Sequence, residues 1–386
     1  MTDGLDLFLA APPGLEPALA EEARALGFDS PHVVPGGVEV AGSRTEAMRA
    51  NLWLRGAGRV LMRVAQFRAL HLAQLDKRAH RVDWAAHLRP DVPVRVEAAC
   101  SRSRIYHQGA AAERVARAIA ARSGAPVSFG AGRNSGGEDA PEGDTPPLRV
   151  LARIDDDLCT LSIDTSGAPL HRRGHKLAVG KAPLRETLAA LFLRQCGFDG
   201  REPVVDPMCG SGTFVIEAAE IAAGLAPGRT RAFDFERMAG FDATAWAAMR
   251  AEVAGAGRVP DLHFLGADRD QGAVAMAEAN AVRAGVDTRC RFLCQPVSAL
   301  EPPTGPPGLV MVNPPYGARI GKRHMLHSVY GALGQTLAAR FRGWRVGLVT
   351  SDAGLAASTG LPFGPPGPPV PHGALRIRLY RTGPLP

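Results

Sequence analysis

The chain has 386 residues, 46% of them apolar, with a formal charge of +7 and a pI near 9.4. That length and apolar content can bury more than one core, so two domains are expected rather than one. Six scattered cysteines with no C-x-x-C pair exclude a zinc ribbon and imply reduced thiols, and no stretch reaches the roughly 18 apolar residues of a membrane span.

The N-terminus MTDGLDLFLAAPPG is acidic where a signal peptide would be basic, so a cytoplasmic protein with neither membrane nor metal partner is expected. Only four of the 45 basic residues are Lys, and the Arg, Ala, Gly and Pro content partly reflects genome composition. The charge is nevertheless unevenly spread. From Arg44 to Arg133 there are 17 Arg and Lys against 6 Asp and Glu, while the rest of the chain is net acidic. Such a segment suits contact with the phosphates of a nucleic acid, and Arg102 and Arg104, just ahead of a helical pattern, are candidate contacts.

In chain order, LDLFLA reads as a strand, LEPALAEEARALG as an amphipathic helix and VEVAG as a second strand. WLRGAGRVLMRVAQF supplies a helix end and a strand, VPVRVEAAC a strand, AAAERVARAIAARSG a helix, and LRVLARIDDDLCTLSID a hairpin turning at Asp155 to Asp157. Strands and helices do not alternate strictly here, so the N-terminal part is α+β. GAGRNSGGEDAPEGDTPP is too polar and Gly/Pro-rich to order itself and reads as a mobile loop. The turn-rich TSGAPLHRRGHKLAVGKAP marks the junction, giving expected domains of 1–174 and 175–386. From Leu184 helical and strand patterns alternate, which predicts a largely parallel α/β sheet covered on both faces, with ALRIRLYRTG as an antiparallel edge strand.

Three motifs carry chemistry. In Val204-Val205-Asp206-Pro207-Met208-Cys209-Gly210-Ser211-Gly212, Gly210 and Gly212 let the backbone pass close to a ligand, and Asp206 offers a carboxylate to an ammonium group such as that of methionine. A simple tight βα turn is the alternative. Asp268, ending the next strand, could accept hydrogen bonds from two ribose hydroxyls, or could merely cap the following helix, as could Asp270. Asn313-Pro314-Pro315-Tyr316 ends an apolar strand. An exocyclic amine on a base is a poor nucleophile because its lone pair is delocalised. The oxygens of Asn313 and Pro314 could accept its two N–H bonds and turn the lone pair toward a sulfonium methyl, with Tyr316 stacking on a base withdrawn from its helix.

With PPGLEPALAEEARALG, SIDTSGAPLHRRGHK, KAPLRETLAA, DPMCGSGTFVIEAAEIAAGLAPG, FDFERMAGFDATAW and VNPPYGARI, the chain resembles the bacterial large-subunit ribosomal RNA guanine-N2 methyltransferases nearly end to end. The resemblance implies an α+β N-terminal THUMP-containing domain that binds RNA, followed by an α/β Rossmann-like class I methyltransferase domain using S-adenosyl-L-methionine. It implies catalytic roles for Asn313, Pro314 and Tyr316, and cofactor contacts from Asp206, Gly210, Gly212 and Asp268, with Asn313 standing in both sets. Pro296 occupies the place where the family usually has an adenine-binding carboxylate, so Gln295 or backbone atoms are expected to hold adenine instead. The chain stops soon after the first methyltransferase domain, so one reaction is expected. The leading expectation is N2-methylguanosine in large-subunit ribosomal RNA. Guanine-N2 methylation of tRNA, N6-adenine methylation of DNA, glutamine methylation of a protein, and a non-enzymatic role as an RNA-binding ribosome assembly factor are the alternatives.

Overall fold

The computed structural model describes residues 5–131, 146–176, 184–255, 262–316 and 323–386. Most of the Gly/Pro-rich acidic loop, the KAP start of KAPLRETLAA and GARI after Tyr316 lie outside the described residues. The chain forms two compact units, one of Met1–Ala10, Ala23–Leu170 and Arg231–Ala251, the other of Ala11–Glu22, His171–Thr230 and Glu252–Pro386.

The first half of the chain runs β1 (Leu5–Ala10), α1 (Glu16–Ala25), β2 (Asp29–Val34), β3 (Gly37–Gly42), α2 (Arg44–Trp53), β4 (Arg59–Arg68), α3 (Leu72–Ala79), β5 (Val94–Ser101), α4 (Gln108–Ser123), β6 (Val127–Ala131), β7 (Leu148–Asp155) and β8 (Leu158–Asp164). Among the described residues these strands make an eight-stranded sheet in the order β2-β3-β1-β4-β8-β7-β5-β6. Only the β5 pairings with β6 and β7 are parallel. Helix α4 makes the β5-to-β6 crossover, and its buried Ala111, Ala112, Val115, Ala116, Ala118 and Ile119 recur at helical spacing. Four elements here escaped the sequence reading: β2, α3, β6 and most of α2. Strands β2 and β6 are the sheet's two edges, with a single partner each and little apolar alternation.

Residues 231–251, which interrupt the second half in sequence, belong to the first unit. Phe235 N–H donates to Thr165 O at 3.0 Å and Ala239 N–H to His87 O at 3.0 Å. The Arg44 guanidinium donates to Ala86 O at 2.6 Å and also to Ala239 O. Trp246 meets the Phe235 ring edge-on at 5.0 Å.

The second half runs α5 (Glu186–Gln195), β9 (Val204–Asp206), α6 (Thr213–Ala222), α7 (Ala243–Gly255), β10 (Phe264–Asp268), α8 (Gln271–Ala284), β11 (Cys290–Cys294), β12 (Leu309–Val312), α9 (Arg323–Arg340), β13 (Arg345–Thr350), α10 (Ala353–Ser358), β14 (Val370–His372) and β15 (Leu375–Arg381). The second sheet has seven strands among the described residues, ordered β11-β10-β9-β12-β13-β15-β14. Strands β9 to β13 are parallel, and β15 is antiparallel to both neighbours. Central strands such as Leu309–Val312 are buried throughout, as expected for strands covered on both faces. The C-terminal strand was expected at the edge. It is second from the edge, because the three-residue β14, too short to show a pattern, pairs with its outer side. The α+β and Rossmann-like α/β classes expected of the two halves are thus present. No helix among the described residues is long and apolar enough to cross a membrane.

Candidate active site

Strand order reverses between β9 and β12, and in open α/β sheets the crevice beyond the carboxyl ends of strands at such a reversal receives ligands. The first and third motifs stand on those two strands, and Asp268 ends the adjoining β10. The fold therefore brings Asp206, Gly210, Gly212, Asp268, Gln295, Asn313, Pro314 and Tyr316 to one end of one sheet, although more than 100 residues separate the first from the last. Arg102 and Arg104 lie elsewhere, in the first unit.

After β9 the chain makes a tight turn. Cys209 N–H donates to Ala267 O at 2.9 Å and Gly212 N–H to Cys209 O at 2.8 Å. Gly210 and Gly212 have φ of +51° and +84°, a region that favours glycine. A Cβ at Gly212 would come within 3.0 Å of Ala277 Cβ, so this residue is also needed for close packing of the turn on α8. A Cβ at Gly210 would point into open space, so the backbone there is accessible to a ligand. Helix α6 follows with Gly212 as its cap and no capping side chain. Its first N–H groups are thus available to an anionic group.

Asp206 is 2% exposed. Its Oδ1 accepts from Met208 N–H at 3.1 Å. Burial pushes its carboxyl up to about 8; the Met208 hydrogen bond opposes the shift and the nearby Asp268 charge adds to it. A buried carboxyl so destabilised as an anion is a receptor for a cation. Asp268 accepts from Gly210 N–H (Oδ2, 3.0 Å) and Asp270 N–H (Oδ1, 3.0 Å), so it fastens the turn to the end of β10 while keeping lone pairs for further donors. The helix-capping alternative falls to Asp270 instead, which accepts from Gly272 N–H at 2.8 Å at the start of α8. Gln295 is half-buried, and its N–H donates to Asp268 O at 2.9 Å. Pro296 beside it is exposed.

At the end of β12, Pro314 is buried and Asn313 half-buried. The side-chain oxygen of Asn313 is buried and has no hydrogen-bond partner among the described residues. An orphaned acceptor at a ligand-receiving edge is a place for an N–H donor. Tyr316 packs partly against the core beneath β12 and β13, and burial pushes its phenol up to about 12. The open Gly210 backbone, the destabilised Asp206 carboxyl and the orphaned Asn313 oxygen together fit a ligand with an ammonium and ribose hydroxyls placed beside an amine donor.

Sequence reading missed the supports behind the turn. Asn280, fully buried on α8, donates through Nδ2 to Ser211 O at 3.0 Å and accepts from Arg283, whose Nε donates to His175 O at 2.7 Å. Lys176 Nζ donates to Thr213 Oγ1 at 2.8 Å and pairs with Glu186 Oε1 at 3.1 Å, both side chains nearly buried. The signal for Asn280 was a polar residue on the apolar stripe Ala273, Ala277, Ala281, Ala284. Asn280→Ala is expected to lower stability by about 1–3 kcal/mol by stranding buried groups, and to weaken cofactor binding about tenfold through the loosened turn. A lowered melting temperature with unchanged calorimetric affinity would limit Asn280 to folding. Asp268→Ala should weaken that affinity more, by roughly 10-fold to 100-fold, since the two turn contacts are lost together with the acceptor expected to meet two hydroxyls.

Comparison with known proteins identifies the family. Residues 173–360 match the model of the RMKL-like methyltransferase domain, and residues 6–61 that of the RlmL ferredoxin-like domain. The ribosomal RNA large subunit methyltransferase K/L of Methylococcus capsulatus is 37% identical over 97% of this chain and 50% of its own length. This chain spans about half the length of the K/L relatives it matches. A provisionally named RNA methyltransferase of Synechocystis is 31% identical over 90% of this chain and 89% of its own. A provisionally named methyltransferase solved with SAH superposes with a TM-score of 0.84 at 26% identity, covering both chains completely. The chain belongs to the RlmL-like family of S-adenosylmethionine-dependent methyltransferases, with the family's ferredoxin-like, THUMP-type N-terminal domain.

Proposed function

We propose that this protein is a cytoplasmic RNA methyltransferase that forms N2-methylguanosine in large-subunit ribosomal RNA, with residues 1–174 as its RNA-binding region and 175–386 as its catalytic domain. The observation that carries this reading is the orphaned side-chain oxygen of Asn313 beside the glycine turn. It is an acceptor in need of an N–H donor, in a family that transfers methyl groups. The names of the K/L relatives support ribosomal RNA as the substrate.

The bound cofactor supplies an electrophilic methyl group on a sulfonium. Asp206 would meet its ammonium, Asp268 its ribose hydroxyls and the Gly210–Gly212 turn its methionine portion, and Gln295 would hold adenine. Asn313 Oδ1 and the Pro314 carbonyl accept the two N–H bonds of the guanine N2 amine, which localises the nitrogen lone pair and directs it outward. The acceptors are preorganised, because Pro314 and Pro315 stiffen the turn and β12 is fully buried, so little reorganisation opposes the reaction. Tyr316 holds the withdrawn base by stacking.

Nucleoside mass spectrometry of ribosomal RNA, tRNA and DNA from cells with and without the gene tests this. Loss of N2-methylguanosine from large-subunit RNA is expected. Its loss from tRNA alone, or loss of N6-methyladenine from DNA, would replace the substrate assignment; unchanged nucleosides in all three would overturn it in favour of protein glutamine methylation or a non-enzymatic role.

A further inference from the structure

Three of the four non-glycine residues with positive φ among the described residues cluster at one end of the first sheet: Arg102 (+46°), Asp156 (+52°) and Asp157 (+61°). L side chains disfavour this conformation, and it persists where surrounding contacts enforce it. Three loops are knitted together there. Asp157 N–H donates to Ser103 Oγ at 2.9 Å, Arg104 N–H to Asp157 Oδ1 at 2.8 Å, and Ala69 N–H to Asp157 O at 2.9 Å. Asp155 accepts from Ser101 Oγ at 2.7 Å and takes both the Arg102 guanidinium (2.9 Å) and that of Arg153 (3.3 Å).

This arrangement holds Asp155 and Asp157 against the sheet end beneath the guanidiniums of Arg102 and Arg104, with Asp156 exposed between them. The side chains of Asp155 and Asp157 are 21% and 19% exposed, those of Arg102 and Arg104 77% and 72%. Two guanidiniums share the Asp155 carboxylate, and the Arg104 guanidinium stands 4.0 Å from Asp157. Two residues beyond Arg104 stands Tyr106, 82% exposed and the most exposed large apolar side chain among the described residues. Folding gives no reason to present a ring this exposed just after the knitted loop that carries Arg102 and Arg104. An exposed π face two residues from an exposed guanidinium is complementary to an unpaired base and its adjoining phosphates. It does not match a duplex, whose bases are already stacked.

We propose that Tyr106 is a stacking platform for an unpaired base of the RNA substrate, with Arg102 and Arg104 on the neighbouring phosphates. This rests on the RNA reading above and adds to it that the N-terminal domain engages a single-stranded segment.

The test uses fluorescence anisotropy of the full chain with a short labelled single-stranded RNA and with a blunt RNA duplex. Tyr106→Ala should weaken single-strand binding between about 5-fold and 150-fold, with Tyr106→Trp retaining it and the duplex unaffected. The salt dependence of single-strand binding should be unchanged by Tyr106→Ala, but its slope should fall by about 0.7 in Arg104→Gln. Unchanged single-strand affinity in Tyr106→Ala, or an equal loss toward the duplex, would overturn the Tyr106 assignment and leave the RNA reading standing. If the unsubstituted chain bound neither RNA, or bound an acidic peptide in their place, the RNA reading would fall and the assignment with it.

Discussion

Asn313→Ala is expected to reduce methyl transfer by about 10² or more while leaving S-adenosylmethionine affinity nearly unchanged, the scale seen when one preorganised polar group is removed from a reacting centre. The asymmetry follows from the geometry. The buried oxygen of Asn313 has no partner among the described residues, so its loss strands none of their groups and the fold should tolerate the change. What is lost is an acceptor for the amine in the transition state. Asn313→Asp still offers acceptor oxygens and should keep partial activity. Single-turnover transfer to ribosomal RNA, run beside a cofactor titration, separates the two effects. An Ala variant of normal rate, or one whose cofactor affinity falls in step with its rate, would remove Asn313 from the chemical step.

Asp206→Asn should abolish a coupling between pH, stability and cofactor binding. The folded protein holds the Asp206 proton up to about 8, whereas the unfolded chain releases it near 4. Folding therefore takes up a proton between these values. The corresponding stability is fully present below about 4 and is lost as pH rises through about 8. The melting temperature of the unsubstituted chain should fall across this window relative to that of Asp206→Asn. On the proposed assignment an arriving ammonium favours the ionised carboxyl, so binding near pH 6 to 7 should release close to one proton. Calorimetry in two buffers of different ionisation heat reads that proton directly. The Asn variant should release none and should bind the cofactor markedly more weakly. Equal proton release by both proteins would place the ammonium elsewhere.

Much of the second half was legible because its signals are local. A buried parallel strand such as Leu309–Val312 is a short apolar run, a helix such as Gln271–Ala284 carries its own periodicity, and each motif sits where one gives way to the next. Less of the first half was legible. Exposed edge strands β2 and β6 have little burial pattern to read, and Arg102 and Arg104 gave no sign that their neighbours in space are Asp155 and Asp157, more than 50 residues on. The insertion 231–251 was recognisable as a block, but its place in the first unit depends on partners such as Thr165 and His87.

Which residue types stand at the strand ends can be read directly along the chain: a carboxylate ending β9 with two glycines after it, a carboxylate ending β10, and an amide followed by prolines after β12. Their order along the chain and the repeated βα pattern required a parallel sheet, because an apolar strand needs cover on both faces and crossover helices supply it. Tertiary structure alone decided what those groups became. Placing β9 between β10 and β12 removed water from Asp206 and raised its proton affinity, an effect of desolvation that no local pattern encodes. The same packing buried the Asn313 oxygen without a partner among the described residues, and it set Asn280 beneath Ser211 to hold the turn. Residue type is a local property, whereas solvation and the pairing of polar groups depend on which distant segments fold against them.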